Sequence, residues 1–166
     1  MNTHPVLVVG AGPAGLTSAL ALRAQGLPVT ILEAAAEGRQ RPGSRAIFYH
    51  RQTMQLWESI RVGLGWEIAN AGLVWSTKRT FWGEAQVYER TYPLPRPGVM
   101  PASTNLGQVD TEKILFRHCV EAGVEFAWEQ EVTDVKTSPE GVVVRTAADR
   151  RRRARLRDPL RRGHRG

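Results

Sequence analysis

The sequence lacks the features that mark disulfide-bonded, membrane-spanning, secreted and metal-binding proteins. Its single cysteine, Cys119, excludes a disulfide within the chain and suits a reducing compartment such as the cytoplasm. It has no apolar run near the roughly 20 residues of a membrane-spanning helix, and residues 1–4 carry no basic cluster of a secretion signal. Its four histidines lack the spacing of metal ligands. We expect a cytoplasmic protein with no metal site and no membrane partner.

Most of the chain also lacks a net positive charge. The net charge is +7, but residues 150–166 hold nine arginines and one acid, leaving 14 basic and 15 acidic residues in 1–149. The body therefore gives no electrostatic reason to expect nucleic acid as a partner. The whole chain has 166 residues, of which 42% are hydrophobic. This length and composition are those of one folded domain and exclude full disorder.

The first thirty residues present a strand, a helix and a second strand. Val6–Val9 is a continuous apolar run, typical of a strand buried in a parallel sheet. Helix-forming residues fill Leu16–Gln25, where Gly26 and Pro28 end the helix, and Val29–Glu33 is again strand-like. The order indicates a βαβ unit and an α/β fold.

A glycine-rich turn joins the first strand to the helix, with the pattern G-x-G-x-x-G: Gly10, Ala11, Gly12, Pro13, Ala14 and Gly15. Gly12, without a Cβ, lets a pyrophosphate approach the backbone, and Gly15 lets helix and strand pack closely. Pro13 fits the first helical turn, whose free N–H groups attract phosphate. In this context the pattern predicts a dinucleotide site.

An acidic residue follows at the position that such a site needs. Glu33 lies 18 residues after Gly15, at the end of the second strand. A carboxylate there accepts hydrogen bonds from adenosine ribose hydroxyls and repels a 2′-phosphate, which disfavours NADP in this site.

The rest of the body predicts further elements. We expect a helix over Gln52–Ile68 broken near Gly63, short strands within 73–92, and a helix over 108–121 with Asp110 as its N-cap and Ile114, Leu115 and Val120 on one side. Three strands follow at Val124–Trp128, Val132–Lys136 and Gly141–Arg145. Cys119 is expected to be a small buried side chain.

Taken together, these segments resemble the N-terminal part of the FAD-dependent aromatic hydroxylases, the class A flavoprotein monooxygenases related to p-hydroxybenzoate and phenol hydroxylases. The resemblance covers residues 5 to about 145. It is carried by four stretches in order: Val8–Leu16, Ile31–Glu33, Ser44–Ala46 with Arg51–Met54, and Leu106–Gln108 with Glu112–Leu115.

The resemblance implies a Rossmann-type FAD-binding domain with part of a β-rich substrate domain. It assigns Arg45 to the FAD pyrophosphate and Gln108 to the ribityl chain and flavin. It implies that NAD(P)H reduces FAD, that O2 adds to give a flavin hydroperoxide, and that a small aromatic substrate takes one oxygen atom. No catalytic side chain is assigned. Four aromatic residues fall where the family begins its substrate-covering sheet, and core packing is expected for most of them: Trp75, Phe81, Trp82 and Tyr88.

The C-terminal residues depart from the family. We interpret 1–147 as an incomplete FAD-binding domain, with about 70–105 belonging to the substrate-domain sheet, and 148–166 as a disordered Arg-rich tail produced by a frameshift. The later aspartate of the ribityl site is missing, so we expect weak FAD binding and no turnover. We also expect the first strand, Val6–Gly10, to form an exposed edge that favours aggregation.

Three other interpretations remain open. One is a different FAD-dependent oxidoreductase, such as an amine oxidase or a carotenoid-type dehydrogenase. Another is a stand-alone dinucleotide-binding module that works with a separate subunit. The last is an interaction protein that acts through its basic tail.

Overall fold

The computed structural model of the chain describes residues 4–38, 46–139 and 141–147. These ranges hold four helices and nine strands: β1 (Val6–Val9), α1 (Pro13–Ala24), β2 (Val29–Leu32), β3 (Ala46–His50), α2 (Arg51–Ile60), α3 (Leu64–Ala71), β4 (Thr77–Trp82), β5 (Ala85–Thr91), β6 (Ser103–Gly107), α4 (Gln108–Glu121), β7 (Glu125–Ala127), β8 (Val132–Ser138) and β9 (Gly141–Thr146). The predicted α/β fold is confirmed.

A three-stranded parallel sheet carries the βαβ unit. Its strand order is β1-β2-β7, with Val6 opposite Val29 and Thr30 opposite Glu125. Parallel strands need a crossover, and α1 supplies the one between β1 and β2. Among the described residues β1 pairs with β2 alone, and Leu7 and Val9 are exposed. The expected apolar edge strand is therefore present in the structure.

The hydrophobic core is one buried cluster to which this sheet and all four helices contribute side chains. Its largest fully buried apolar side chains are Leu16, Leu20, Val29, Ile31, Met54, Leu64, Ile68, Leu115 and Cys119. A polar contact ties α2 to α1, where the Trp57 indole N–H donates to the Thr17 hydroxyl at 2.9 Å. Burial raises the pKa of the Cys119 thiol to about 12, as expected for a structural cysteine.

The predicted helix break near residue 63 is confirmed. Gly63 has φ +91°, a left-handed conformation that glycine adopts without a steric penalty, and it is the N-cap of α3. The Glu58 carboxylate accepts from the backbone N–H groups of Gly63 at 2.8 Å and Trp66 at 3.2 Å. The turn therefore positions α3 against α2.

Helix α4 differs from its prediction in two details. Its N-cap is Gly107, and Asp110 lies in the first turn, where it pairs with Lys113 at 3.0 Å. Val120 is exposed, whereas His118 and Cys119 are buried. The buried side follows Thr111, Leu115, His118 and Cys119, because α4 packs against α1 and α3 on that face.

His118 connects three helical segments. Its Nδ1 accepts from the Arg61 Nε at 2.8 Å, and its Nε2 lies 2.9 Å from the Glu67 carboxylate. Arg117 also pairs with Glu67, and this hydrogen bond is the main cause that lowers the pKa of Glu67. The network therefore joins α4 to α3 and to the end of α2.

Two strands were not anticipated. β3 and β6 pair antiparallel, with Ala46 opposite Gly107 and His50 opposite Ser103, and they lead directly into α2 and α4. β6 has the sequence STNLG, in which Asn105 and Gly107 are poor strand formers, so its pairing depends on tertiary contacts.

The remaining strands form two antiparallel hairpins, β4–β5 and β8–β9. The expectation that most of the aromatic residues in 75–88 pack in the core is wrong. Trp75, Phe81, Trp82 and Tyr88 are exposed, since β4 and β5 pair only with each other among the described residues. The division of the chain at 147 and near 70–105 stays a prediction, and residues 148–166 lie outside the described ranges.

Candidate functional site

The glycine-rich turn lies at the junction of β1 and α1. Gly10 adopts φ +94°, and its N–H donates to Leu32 O at 2.8 Å, which extends the β1–β2 pairing into the turn. Gly12 is the N-cap of α1 in an extended conformation with φ −81°. Pro13 and Ala14 form the first turn of the helix, where the missing N–H of proline costs no helical hydrogen bond.

Gly15 sets how closely α1 approaches β1. A Cβ at this residue would lie 2.0 Å from the Gly10 carbonyl oxygen and 3.1 Å from its carbon. Both are backbone atoms, so they cannot rotate away. Only glycine fits here, and the amino end of α1 is held against the end of β1.

The amino end of α1 is open to a ligand. In the described structure no side chain caps it, and its first turn contains no acidic residue. The first backbone bond of the helix joins Leu16 N to Gly12 O at 2.9 Å, so the preceding N–H groups have no partner within the helix. Such a terminus attracts an anion through its N–H groups and its dipole.

Glu33 lies beside this turn and is buried, with 6% of its surface exposed. One carboxylate oxygen accepts from the Ala11 N–H at 2.6 Å, and the other accepts from the Ala35 N–H at 3.0 Å. Its own N–H donates to Ala127 O at 2.9 Å. The acid therefore connects the turn after β1, the segment after β2 and the end of β7.

A cavity of about 390 Å³ opens where β1, β2 and β7 end. Because ligands of parallel α/β sheets bind at the carboxyl ends of strands, this is the expected place for a site. Its lining residues come from four segments: Ala11, Leu16, Glu33, Ala35, Ala36, Glu37, Gly38, Val109, Glu112, Lys113, Phe116 and Trp128.

Arg45 and Gln108 are the other two predicted site residues. Arg45 lies outside the described residues. Gln108 begins α4, where its amide Nε2 donates to the Glu112 carboxylate at 2.8 Å. Gln108 itself does not line the cavity, but Glu112 does.

Sequence reasoning missed the part of the cavity that α4 and Trp128 form. Val109, Glu112, Lys113 and Phe116 are spaced i, i+3, i+4 and i+7, which places them on one helix face. That spacing was visible, but only the tertiary structure shows that this face meets the glycine-rich turn. Trp128 gives no sequence signal of its own, because it simply follows a short strand.

Neither a metal site nor a transmembrane helix is found in the described part of the chain. No group of three or more His, Cys, Asp or Glu residues there could hold a metal ion. None of the helices described has the length and apolarity needed to cross a bilayer.

The match to a family covers most of the chain. The model of the FAD binding domain family matches residues 3–157, so the chain belongs to the FAD binding domain family. The resemblance to FAD-dependent aromatic hydroxylases is confirmed.

Individual relatives match over different lengths. The 6-hydroxy-3-succinoylpyridine 3-monooxygenase HspB of Pseudomonas putida (strain DSM 28022 / S16) is 30% identical over 148 residues, which are 84% of this chain and 35% of that protein. Hydroxyneurosporene desaturase of Rubrivivax gelatinosus is 64% identical, but over 36 residues only, which are 22% of this chain and 7% of that protein.

Solved structures share the fold. The flavin-dependent monooxygenase PieE, in complex with FAD and substrate, superposes with a TM-score of 0.71 at 22% identity, over 89% of this chain and 27% of that one. The chain therefore spans about a third or less of the length of the relatives described here.

Proposed function

We propose that this chain binds the ADP half of FAD in the cavity at the amino end of α1. The single observation that carries this proposal is that Ala11 of the glycine-rich turn and the buried Glu33 line the same cavity. A pyrophosphate is a dianion that needs N–H donors, and a ribose presents hydroxyl groups that need an acceptor.

The residues present fit those two needs. The open first turn of α1 would hold the pyrophosphate, and Gly12, Pro13, Ala14 and Gly15 would shape its approach. Glu33 would accept from the ribose hydroxyls, because a carboxylate is an acceptor-only group; in this structure it already accepts from the backbone N–H groups of Ala11 and Ala35. Its charge disfavours a 2′-phosphate, which supports FAD over NADP. By resemblance Arg45 would serve the pyrophosphate and Gln108 the ribityl chain.

The whole protein to which such a domain belongs would be a monooxygenase of a small aromatic substrate. When bound, FAD supplies the redox chemistry, with NAD(P)H as electron donor and O2 as oxidant. This chain's residues would hold the cofactor in place. We propose that the 166-residue polypeptide alone binds FAD weakly and does not turn over. The free buried Cys119 supports a cytoplasmic location.

A second candidate is a different FAD-dependent oxidoreductase. The 36-residue match to hydroxyneurosporene desaturase at 64% identity favours it, because that relative is named as a desaturase and not as a monooxygenase. The 148-residue match to a pyridine monooxygenase favours the first candidate, because it covers 84% of the chain.

The proposal is tested by binding. FAD and ADP are titrated into the unchanged chain and into a Gly12→Val variant by calorimetry. Gly12 has φ −81°, which any residue can adopt, so the variant should keep the fold while its side chain blocks the phosphates. We expect binding to the unchanged chain and at least a tenfold loss in the variant, with unchanged circular dichroism. Absence of binding to the unchanged chain would refute the proposal.

A further inference from the structure

The cavity is also lined by two aromatic side chains. Phe116 of α4 and Trp128, which follows β7, line it together; we call these two residues the aromatic wall. Glu33 lies on the same cavity, beside the glycine-rich turn. A nucleotide whose ribose meets Glu33 therefore has its base within the same cavity as the aromatic wall.

Phe126 packs against both residues of the aromatic wall. Trp128 stacks on Phe126, with ring centroids 5.2 Å apart and an interplanar angle of 9°, and Phe116 contacts Phe126 at 4.8 Å. Phe126 does not line the cavity, whereas Trp128 does. Phe126 therefore covers part of the indole, and the surface that it leaves uncovered borders the cavity.

The backbone holds Trp128 in this position by an unusual conformation. Glu129 has φ +57°, the one positive φ of a non-glycine residue in the described ranges. Its N–H donates to Ala35 O at 3.1 Å, and the N–H of Gln130 donates to Glu33 O at 2.8 Å. A left-handed backbone conformation is energetically unfavourable for a non-glycine residue, and it persists where neighbouring contacts fix it. These bonds lock the residue after Trp128 to the segment that carries Glu33.

The charges around the cavity also discriminate between ligands. Among the described residues that line it, three carry a carboxylate (Glu33, Glu37 and Glu112) and one, Lys113, carries an ammonium group. An acidic lining disfavours a further phosphate and is compatible with a neutral base that bears an amino group. Flat aromatic side chains bind a base through its ring face.

From these observations we infer that Trp128, backed by Phe126 and flanked by Phe116, is the stacking surface for the adenine ring of the bound dinucleotide. The inference rests on the proposed FAD site and adds a positioning residue to it. Trp128 would fix the adenine end of the ligand, while α1 and Glu33 fix its pyrophosphate and ribose.

The test uses ADP, which has no flavin to absorb indole emission, and follows the tryptophan fluorescence of the full chain. We expect ADP to quench the unchanged chain. A Trp128→Phe variant should lose this quenching. Its dissociation constant for ADP should stay within about threefold of that of the unchanged chain, because phenylalanine keeps a stacking face. Trp82→Phe is the matched control: Trp82 is 82% exposed on β4, so its replacement should leave the quenching intact.

A Trp128→Ala variant measures the contribution to affinity. Loss of the ring should weaken ADP binding about tenfold or more, measured by calorimetry. If ADP binds the unchanged chain but the Trp128 emission does not respond, or if Trp128→Ala binds as tightly, the inference is overturned and the proposed function stands. If ADP and FAD do not bind the unchanged chain, both are overturned.

Discussion

Replacing Gly15 by alanine tests how closely α1 must approach β1. The new Cβ would lie 2.0 Å from the Gly10 carbonyl oxygen, so the helix must move by about 1 Å or more to reach a normal separation. Overpacking of this kind costs about 1–3 kcal/mol, and contact with rigid backbone places it at the upper end of that range. Alanine returns about 1 kcal/mol of helix propensity. We therefore expect a net loss of about 2 kcal/mol in the free energy of unfolding.

The assay is thermal unfolding, in which Gly15→Ala should lower Tm by about 4–8 °C. Ser18→Ala is the matched control, because Ser18 is exposed on the same helix and its replacement should raise stability slightly. The shift should also move the N–H groups of α1, so ADP affinity should fall about tenfold or more. A variant as stable as the unchanged chain would refute the reasoning, because helix propensity would then outweigh the contact.

Four further outcomes are expected. Glu33→Gln should lower the free energy of unfolding in urea by about 1–3 kcal/mol, since an amide nitrogen would face a backbone N–H. Because Arg117 lowers the pKa of Glu67, that carboxylate stabilises the fold above the usual glutamate pKa of about 4.3; the stability difference from Glu67→Gln should be present near neutral pH and vanish as pH falls through the lowered pKa. Cys119 should react with a thiol reagent only when urea unfolds the chain. Val9→Lys should reduce aggregation, measured by light scattering, because a charge on the exposed strand opposes edge pairing.

Each of these expectations has a contradicting result. For Glu33→Gln it is stability equal to that of the unchanged chain, and for Glu67→Gln it is a difference that persists at acid pH. Rapid stoichiometric labelling of Cys119 in native buffer would contradict its burial. Unchanged scattering of the Val9→Lys variant would show that β1 does not drive association.

Local pattern predicted the parts of the fold whose conformation is decided locally. Within thirty residues the continuous apolar run of β1 is followed by the glycine-rich turn and by α1. The residue types of this segment were therefore sufficient to predict its structure. Gly63 likewise marked the helix break, because a left-handed turn requires a residue without a side-chain clash. At the site, the same reasoning placed Glu33 beside the turn.

Features that depend on distant contacts were missed. β6 pairs with β3 despite weak strand propensity, and Val120 is exposed because α1 and α3 cover a different face of α4. The sequence analysis missed the aromatic wall for the same reason. Phe116 and Trp128 are twelve residues apart from each other but far along the chain from Glu33, and no local pattern reports that they share its cavity.

The position of β7 affects how the chain is made. This strand completes the three-stranded sheet and accepts the backbone bond from Glu33, yet it ends only at residue 127. A nascent chain leaving the ribosome therefore cannot complete this sheet until nearly a hundred residues beyond β2 have been translated. Such non-local pairing slows folding. Any ligand of the cavity consequently acts after translation of this segment: it stabilises the finished domain by mass action and gives no help to its early folding.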